Sequence, residues 1–61
     1  MKKLNVYECY GDYAMYIIAA EDEEHAEKIF ADEWGGEPQC VNILEGVTAN
    51  REPGVLAQFS A

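Results

Sequence analysis

The residues that decide the fold are EDEEHAEKIFADEW, residues 21–34, which predict one amphipathic helix. Counted from Ala26, apolar residues recur three, four and eight positions later, at Ile29, Phe30 and Trp34. This spacing places them on one stripe of a helix, and the stripe is long enough to cover a sheet. We therefore expect the buried side of the helix to be formed by these four side chains.

The sequence also marks both ends of this helix. Asp22 is suited to cap the first turn, because its carboxylate can accept hydrogen bonds from the free amides there. Gly35 and Gly36 supply the left-handed conformation that often ends a helix. Pro38 prevents the helix from resuming, so the predicted element ends at Trp34.

The rest of the helix surface is acidic. Residues 21–37 contain eight carboxylates and a single cation, Lys28, which gives −7 of the total net charge of −8. The acidic residues are Glu21, Asp22, Glu23, Glu24, Glu27, Asp32, Glu33 and Glu37. Such a field repels phosphate backbones and anionic lipids. It therefore argues against direct binding of nucleic acid or membrane and predicts a basic protein surface as the partner.

Two strands are predicted before the helix. Residues 4–10, LNVYECY, alternate between faces, and Gly11 with Asp12 is typical of a tight turn. Residues 13–20, YAMYIIAA, then form a second strand that is apolar on both faces. A strand of that kind is usually covered on both sides. The two segments together predict an antiparallel hairpin.

Two further strands are predicted after the helix, at residues 39–45 and 54–60, with a loop at 46–54 between them. The fold class is therefore α+β, with the elements in the order ββαββ. We expect a four-stranded antiparallel sheet in the order 2-1-3-4, with the helix on one face.

In that arrangement, one face of the sheet meets the helix and the other is left open. The predicted helix-facing residues are Leu4, Val6, Met15, Ile17, Val41, Ile43, Val55 and Phe59. The predicted open face carries Tyr7, Cys9, Tyr16, Ile18, Leu44 and Leu56. Since monomers seldom expose such patches, this face is expected to be a homodimer seam or a binding surface for another protein.

Length and composition limit the kind of protein. Sixty-one residues form a single domain, residues 1–61, whose core is small enough that dimerisation would help it. No apolar run approaches the roughly 20 residues of a membrane span, and residues 1–4 do not lead into a signal sequence. Two cysteines, Cys9 and Cys40, are too few for a secreted disulfide framework and are expected to be reduced. A cytoplasmic protein is the expectation.

Few residues suggest catalysis. His25 is the single histidine and lies among acids in the first helical turn, where a solvated role is usual. Ser60 and Thr48 have no recognisable base, and Cys9 and Cys40 are predicted to lie across the sheet from His25. The spacing of carboxylates and thiols matches neither a calcium loop nor a zinc site. We therefore expect no enzymatic activity, no metal and no cofactor.

The acidic helix face has two possible meanings. It can be a solvated face that confers solubility, with Glu24 and Lys28 as a supporting i,i+4 pair. Alternatively, it can imitate nucleic acid: a helix of about thirteen residues is about 20 Å long, and duplex DNA of that length carries roughly 12 charges, about 6 per strand. Residues 21–33 provide seven carboxylates. A Lys/Arg-lined groove on a nucleic-acid-binding protein would then be blocked.

Three features of the chain together resemble a known group of proteins: the tyrosine-rich hairpin at 7–16, the acidic helix at 21–33 and the short final strand. The chain resembles the small acidic accessory proteins of phages and mobile elements, some of which are anti-CRISPR inhibitors that imitate DNA. The resemblance implies an inhibitor of a nucleic-acid-binding effector. It assigns no role to any individual residue.

Overall fold

The computed structural model describes residues 3–60, which form one antiparallel four-stranded sheet and one helix. The elements are β1 (Lys3–Tyr10), β2 (Ala14–Ala20), α1 (Glu23–Trp34), β3 (Cys40–Asn50) and β4 (Gly54–Ser60). The fold class is α+β, as expected. Residues 1, 2 and 61, which the predicted domain includes, lie outside the described residues.

The helix begins and ends by the predicted mechanisms. The Asp22 carboxylate accepts a hydrogen bond of 2.8 Å from the backbone N–H of His25, so Asp22 is the N-cap. At the other end, Gly35 has φ 96° and its N–H donates to the Ala31 carbonyl at 2.9 Å. Ala26 and Phe30 are buried, and Ile29 and Trp34 pack against the core, which confirms the apolar stripe.

The strand order corrects the prediction. The sheet runs β3-β1-β2-β4, so the predicted strand order 2-1-3-4 is wrong. β1 pairs with β2 and β3 as predicted, but β4 pairs with β2, with Met15 opposite Phe59. The cause lies in composition, since the two most apolar strands take the centre and the more polar β3 and β4 take the edges.

β3 is longer than predicted. Residues 46–50 belong to the strand, and the connection to β4 is only residues 51–53. Thr48 pairs with Asn5 and Ile43 with Tyr7, so β3 carries extra residues at this step and bulges there. Gly46, at φ 80°, supplies the left-handed conformation that such a bulge favours. A predicted loop is therefore a continuation of the strand.

The short connection makes the sheet curl. Residues 51–53 join opposite edges of the sheet, yet four Cα steps span at most about 14 Å. A flat sheet would separate those edges by three spacings of roughly 4.8 Å, with an additional offset along the strands. The two edges must therefore bend toward each other. Leu4, Val6 and Ala19 are buried on the face away from the helix, at the end of the sheet nearest this connection.

The helix covers the opposite face of the sheet from the one predicted. Tyr7, Cys9, Tyr16 and Ile18 lie in the core beneath α1. Glu8 gives the physical reason. Glu8 lies between Tyr7 and Cys9 on β1 and points to the opposite face. Placing its carboxylate under the helix would bury a charge without a partner. On the far face, Glu8 is half-exposed and accepts a hydrogen bond from the Tyr10 hydroxyl at 3.3 Å.

The predicted helix-facing set is therefore only partly correct. Val41 and Val55 do pack against the core beneath α1. Leu4 and Val6 are buried but lie on the far face, in alternation with Tyr7. Met15, Ile17 and Phe59 also lie on the far face. Ile43 pairs with Tyr7 and is therefore on the helix side as predicted, although it is exposed.

Aromatic side chains join the helix to the hairpin. The Tyr16 ring meets Phe30 edge-on with centroids 5.3 Å apart, and Trp34 lies 6.4 Å from Tyr16 and 6.1 Å from Phe30. Edge-to-face pairs at such distances stabilise by about 0.5–1.5 kcal/mol each beyond the area they bury. The C-terminal half of α1 is therefore fixed against β2, which fixes the direction of its acidic surface.

Candidate functional site

The candidate site is the acidic surface formed by α1 and its two flanking segments. Seven of the eight predicted acidic residues are exposed, and Glu27 is half-buried. These residues are Glu21, Asp22, Glu23, Glu24, Glu27, Asp32, Glu33 and Glu37. Glu24 and Asp32 lie on the side of the helix opposite Ala26 and Phe30, so the packing of the apolar stripe turns these two acids away from the sheet.

The acids do not form a single row. At about 100° per residue, Glu24, Lys28 and Asp32 share one ridge, roughly opposite Ala26 and Phe30. The outermost line of the helix therefore reads acid, base, acid. The only lysine of the segment lies in the middle of the most accessible row, where it reduces the local negative field.

Another pair of acids lies on the flank of the helix. Burial and, to a smaller extent, the negative charges of Glu27 and Glu23 together raise the pKa of the Cys9 thiol to about 11. The Cys9 sulfur lies 4.0 Å from the Ala26 carbonyl oxygen, to which the thiol donates. Glu23 and Glu27 are thus on the side of α1 nearest Cys9, and the acidic surface is a broad patch that extends down this flank.

The position of Cys9 corrects the prediction that was made for it. The thiols were predicted to lie across the sheet from the helix, but Cys9 is beneath it and is completely inaccessible to solvent. A thiol with a raised pKa is protonated at neutral pH and is a poor nucleophile. Cys40 is exposed, and it pairs with Tyr10 rather than with Cys9, so the two thiols point to opposite faces. Both are free.

The predicted dimer or partner face is wrong as a set. Tyr7, Cys9, Tyr16 and Ile18 are buried beneath α1 and cannot contact another molecule. The other two members of the predicted face, Leu44 and Leu56, lie at irregular steps of the edge strands. The large apolar side chains that the described residues do expose are Tyr13, Ile43, Val47, Leu56 and Phe59.

Sequence reasoning missed an open cleft of about 360 Å³ beside the β1–β2 turn. Tyr10, Met15 and Phe59 stand opposite one another on three adjacent strands and form its floor. Asp12 and Tyr13, from the turn, line its side. The tyrosine-rich turn was the one sign of this cleft in the sequence. Phe59 lies beside Met15 only because β4 pairs with β2, and that pairing was not predicted.

The arrangement of the other polar side chains limits the chemistry. Within residues 3–60, no three His, Cys, Asp or Glu side chains come together as a metal-binding group. α1 is too short for a membrane span, and the described part of the chain has no other helix that could serve as one. Comparison with protein-family models, with curated proteins and with solved structures returns no match.

Proposed function

We propose that this protein acts by binding and not by catalysis, and that its acidic helix occupies a Lys/Arg-lined, nucleic-acid-binding surface of a partner protein in the cytoplasm. The observation that carries the proposal is the concentration of charge: residues 21–37 hold −7 of the −8 net charge, and all but one of their carboxylates are exposed. Complementary charge of this kind gives fast, salt-sensitive association.

The charge density of α1 is close to that of one nucleic-acid strand. Its twelve residues span about 18 Å, and duplex DNA of that length carries roughly 10 charges, about 5 per strand. α1 itself carries five carboxylates and one lysine, Lys28, a net charge of −4. The resemblance to DNA-imitating anti-CRISPR inhibitors supports the same proposal, in which the partner is an effector that would otherwise bind nucleic acid.

The test uses two variants of equal charge. Glu24→Gln with Asp32→Asn removes the two acids of the outer ridge, whereas Glu45→Gln with Glu52→Gln removes two exposed acids outside the helix. Both variants have a net charge of −6. A partner recovered from cell extract at low salt and released at high salt is purified, and its affinity for each variant is measured by calorimetry.

The helix variant is expected to bind more weakly. Each exposed charge pair contributes about 0.2–1 kcal/mol, so the loss of two should raise Kd by about 2- to 30-fold. The control variant should bind like the wild type. If both variants weaken binding equally, net charge alone is responsible and the helix is not the contact surface.

Lys28 gives an independent check in the opposite direction. Because it is the only cation on the outer ridge, Lys28→Gln should tighten binding to the same partner. Binding that is lost in Lys28→Gln would mean that the partner recognises this lysine, and the proposed imitation of a phosphate strand would be wrong.

A second candidate function is a small structural homodimer whose acidity only confers solubility. The observation that favours it is the exposure of Leu56 and Phe59 on β4, an edge strand with a free side. Such a dimer would use β4 and not the face predicted from the sequence. Light scattering checks it directly, since the mass of a single chain would contradict a dimer.

A further inference from the structure

The cleft beside the β1–β2 turn has aromatic surfaces that are open to solvent. Tyr13 is 72% exposed and Phe59 is 56% exposed, although both line the cleft. Tyr10 and Met15 complete an apolar floor between them. Exposed aromatic faces of this kind attract cations, since the face of the ring carries negative charge density.

The cleft is also acidic. Asp12 lines it, and its carboxylate accepts a hydrogen bond from the Gln39 side chain, which holds it at the rim. Glu8, two residues before Tyr10 on the same face of β1, accepts a hydrogen bond from the Tyr10 hydroxyl. The negative charge of Glu8, more than burial or this hydrogen bond, raises the pKa of Tyr10. None of the residues that line the cleft carries a positive charge.

We propose that this cleft binds the guanidinium group of an arginine side chain presented by a protein partner. Guanidinium is planar and weakly hydrated, so it can stack on Tyr13 or Phe59 while its N–H groups reach the Asp12 carboxylate. A carboxylate accepts two parallel hydrogen bonds from guanidinium, which gives this group an advantage over the ammonium of lysine.

The size and position of the cleft fit such an occupant. Its volume lies at the lower end of the roughly 300–1,000 Å³ of ligand pockets, enough for one side chain. It lies at the end of the molecule where α1 finishes, because Gly11 of the turn abuts Phe30 and Trp34. An arginine of a partner could therefore enter here whether or not the partner also contacts the outer ridge of α1.

The test is an NMR titration with a blocked tripeptide, Gly-Arg-Gly, and with its citrulline analogue, which has the same shape and no charge. We expect the arginine peptide to shift the backbone amides of residues 10–15 and 58–60 with a Kd in the millimolar range. The citrulline peptide should bind at least tenfold more weakly. The lysine analogue should lie between the two.

Two conservative variants identify the groups responsible. Phe59→Leu keeps an apolar side chain but removes the aromatic face, and Asp12→Asn removes the charge but keeps an acceptor for Gln39. Each should weaken binding of the arginine peptide about fivefold or more, whereas Glu45→Gln, an exposed acid outside the cleft, should not change it.

Three results would overturn the proposal. The first is equal shifts with the arginine and citrulline peptides. The second is unchanged affinity in both Phe59→Leu and Asp12→Asn. The third is a set of shifts confined to α1, which would show that the peptide is attracted to the acidic helix alone. Shifts at the cleft that appear on concentrating the protein without peptide would assign the cleft to a second copy of this chain.

Discussion

At the scale of single residues, the charge of Glu8 selects the face of the sheet that the helix covers, and its neighbour Cys9 is buried as a result. Alternation along β1 was predicted correctly, but alternation alone does not say which face is inside. Leu4 and Val6 suggested one face, and the charge of Glu8 required the other. Cys9 then lies under Ala26, a residue small enough to leave room for the thiol.

Cys9 and Cys40 should differ in reactivity toward iodoacetamide. Because Cys9 is buried and its pKa is raised to about 11, the folded protein at pH 8 should gain one carbamidomethyl group, on Cys40, by mass spectrometry. Unfolding in urea should add the second group. Cys40→Ser is the control and should gain none while folded. Rapid modification of Cys9 in that variant would contradict its position under the helix.

The same thiol links stability to pH. Its pKa is 9.0 in an unperturbed state and about 11 when folded, so folding favours the protonated form. This contribution is complete below pH 9 and is lost as the pH rises through 11. In Cys9→Ala, we therefore expect a smaller loss of stability between pH 9 and pH 11 than in the wild type, measured by urea unfolding.

At the scale of elements, the close approach between the β1–β2 turn and α1 fixes the helix on the sheet. A methyl group on Gly11 would lie 3.0 Å from Phe30 Cζ and 3.0 Å from Trp34 Cε2. Neither ring can move freely, because Tyr16 packs against both. Gly11 is thus needed for space, in addition to the turn that the sequence predicted for it.

Gly11→Ala should therefore destabilise the protein by about 1–3 kcal/mol, the usual cost of overpacking a core. The free energy of unfolding in urea, followed by Trp34 fluorescence, measures this. Gly54→Ala is the matched control, since a methyl group there meets only the flexible Arg51 side chain at 3.5 Å. Equal effects of the two changes would contradict the packing described for the turn.

Elements whose signals are local were predicted well, and their assembly was not. The Asp22 cap, the apolar stripe and the Gly35 end depend on neighbours within one or two turns, so the sequence displays them. The position of β4 depends on which strand offers a free edge, a long-range choice that no local pattern encodes. The acidic surface was therefore predictable, whereas the cleft that needs Phe59 beside Met15 was not.

At the scale of the whole molecule, charge and apolar surface are separated. The helix side carries nearly all of the net negative charge, whereas the far face of the sheet buries Leu4 and Val6 at one end and carries the open cleft at the other. A basic protein with a projecting arginine could use both surfaces.

The most direct measurement is competition between this protein and duplex DNA for the purified partner, at low and at high salt. We predict that DNA displaces the wild-type protein from the partner. We also predict that the affinity of the wild-type protein for the partner falls steeply as the salt concentration rises. The salt dependence should be much weaker for a variant in which Glu23, Glu24, Glu27, Asp32 and Glu33 are replaced by Gln or Asn. A partner that holds DNA and this protein at the same time would contradict the account.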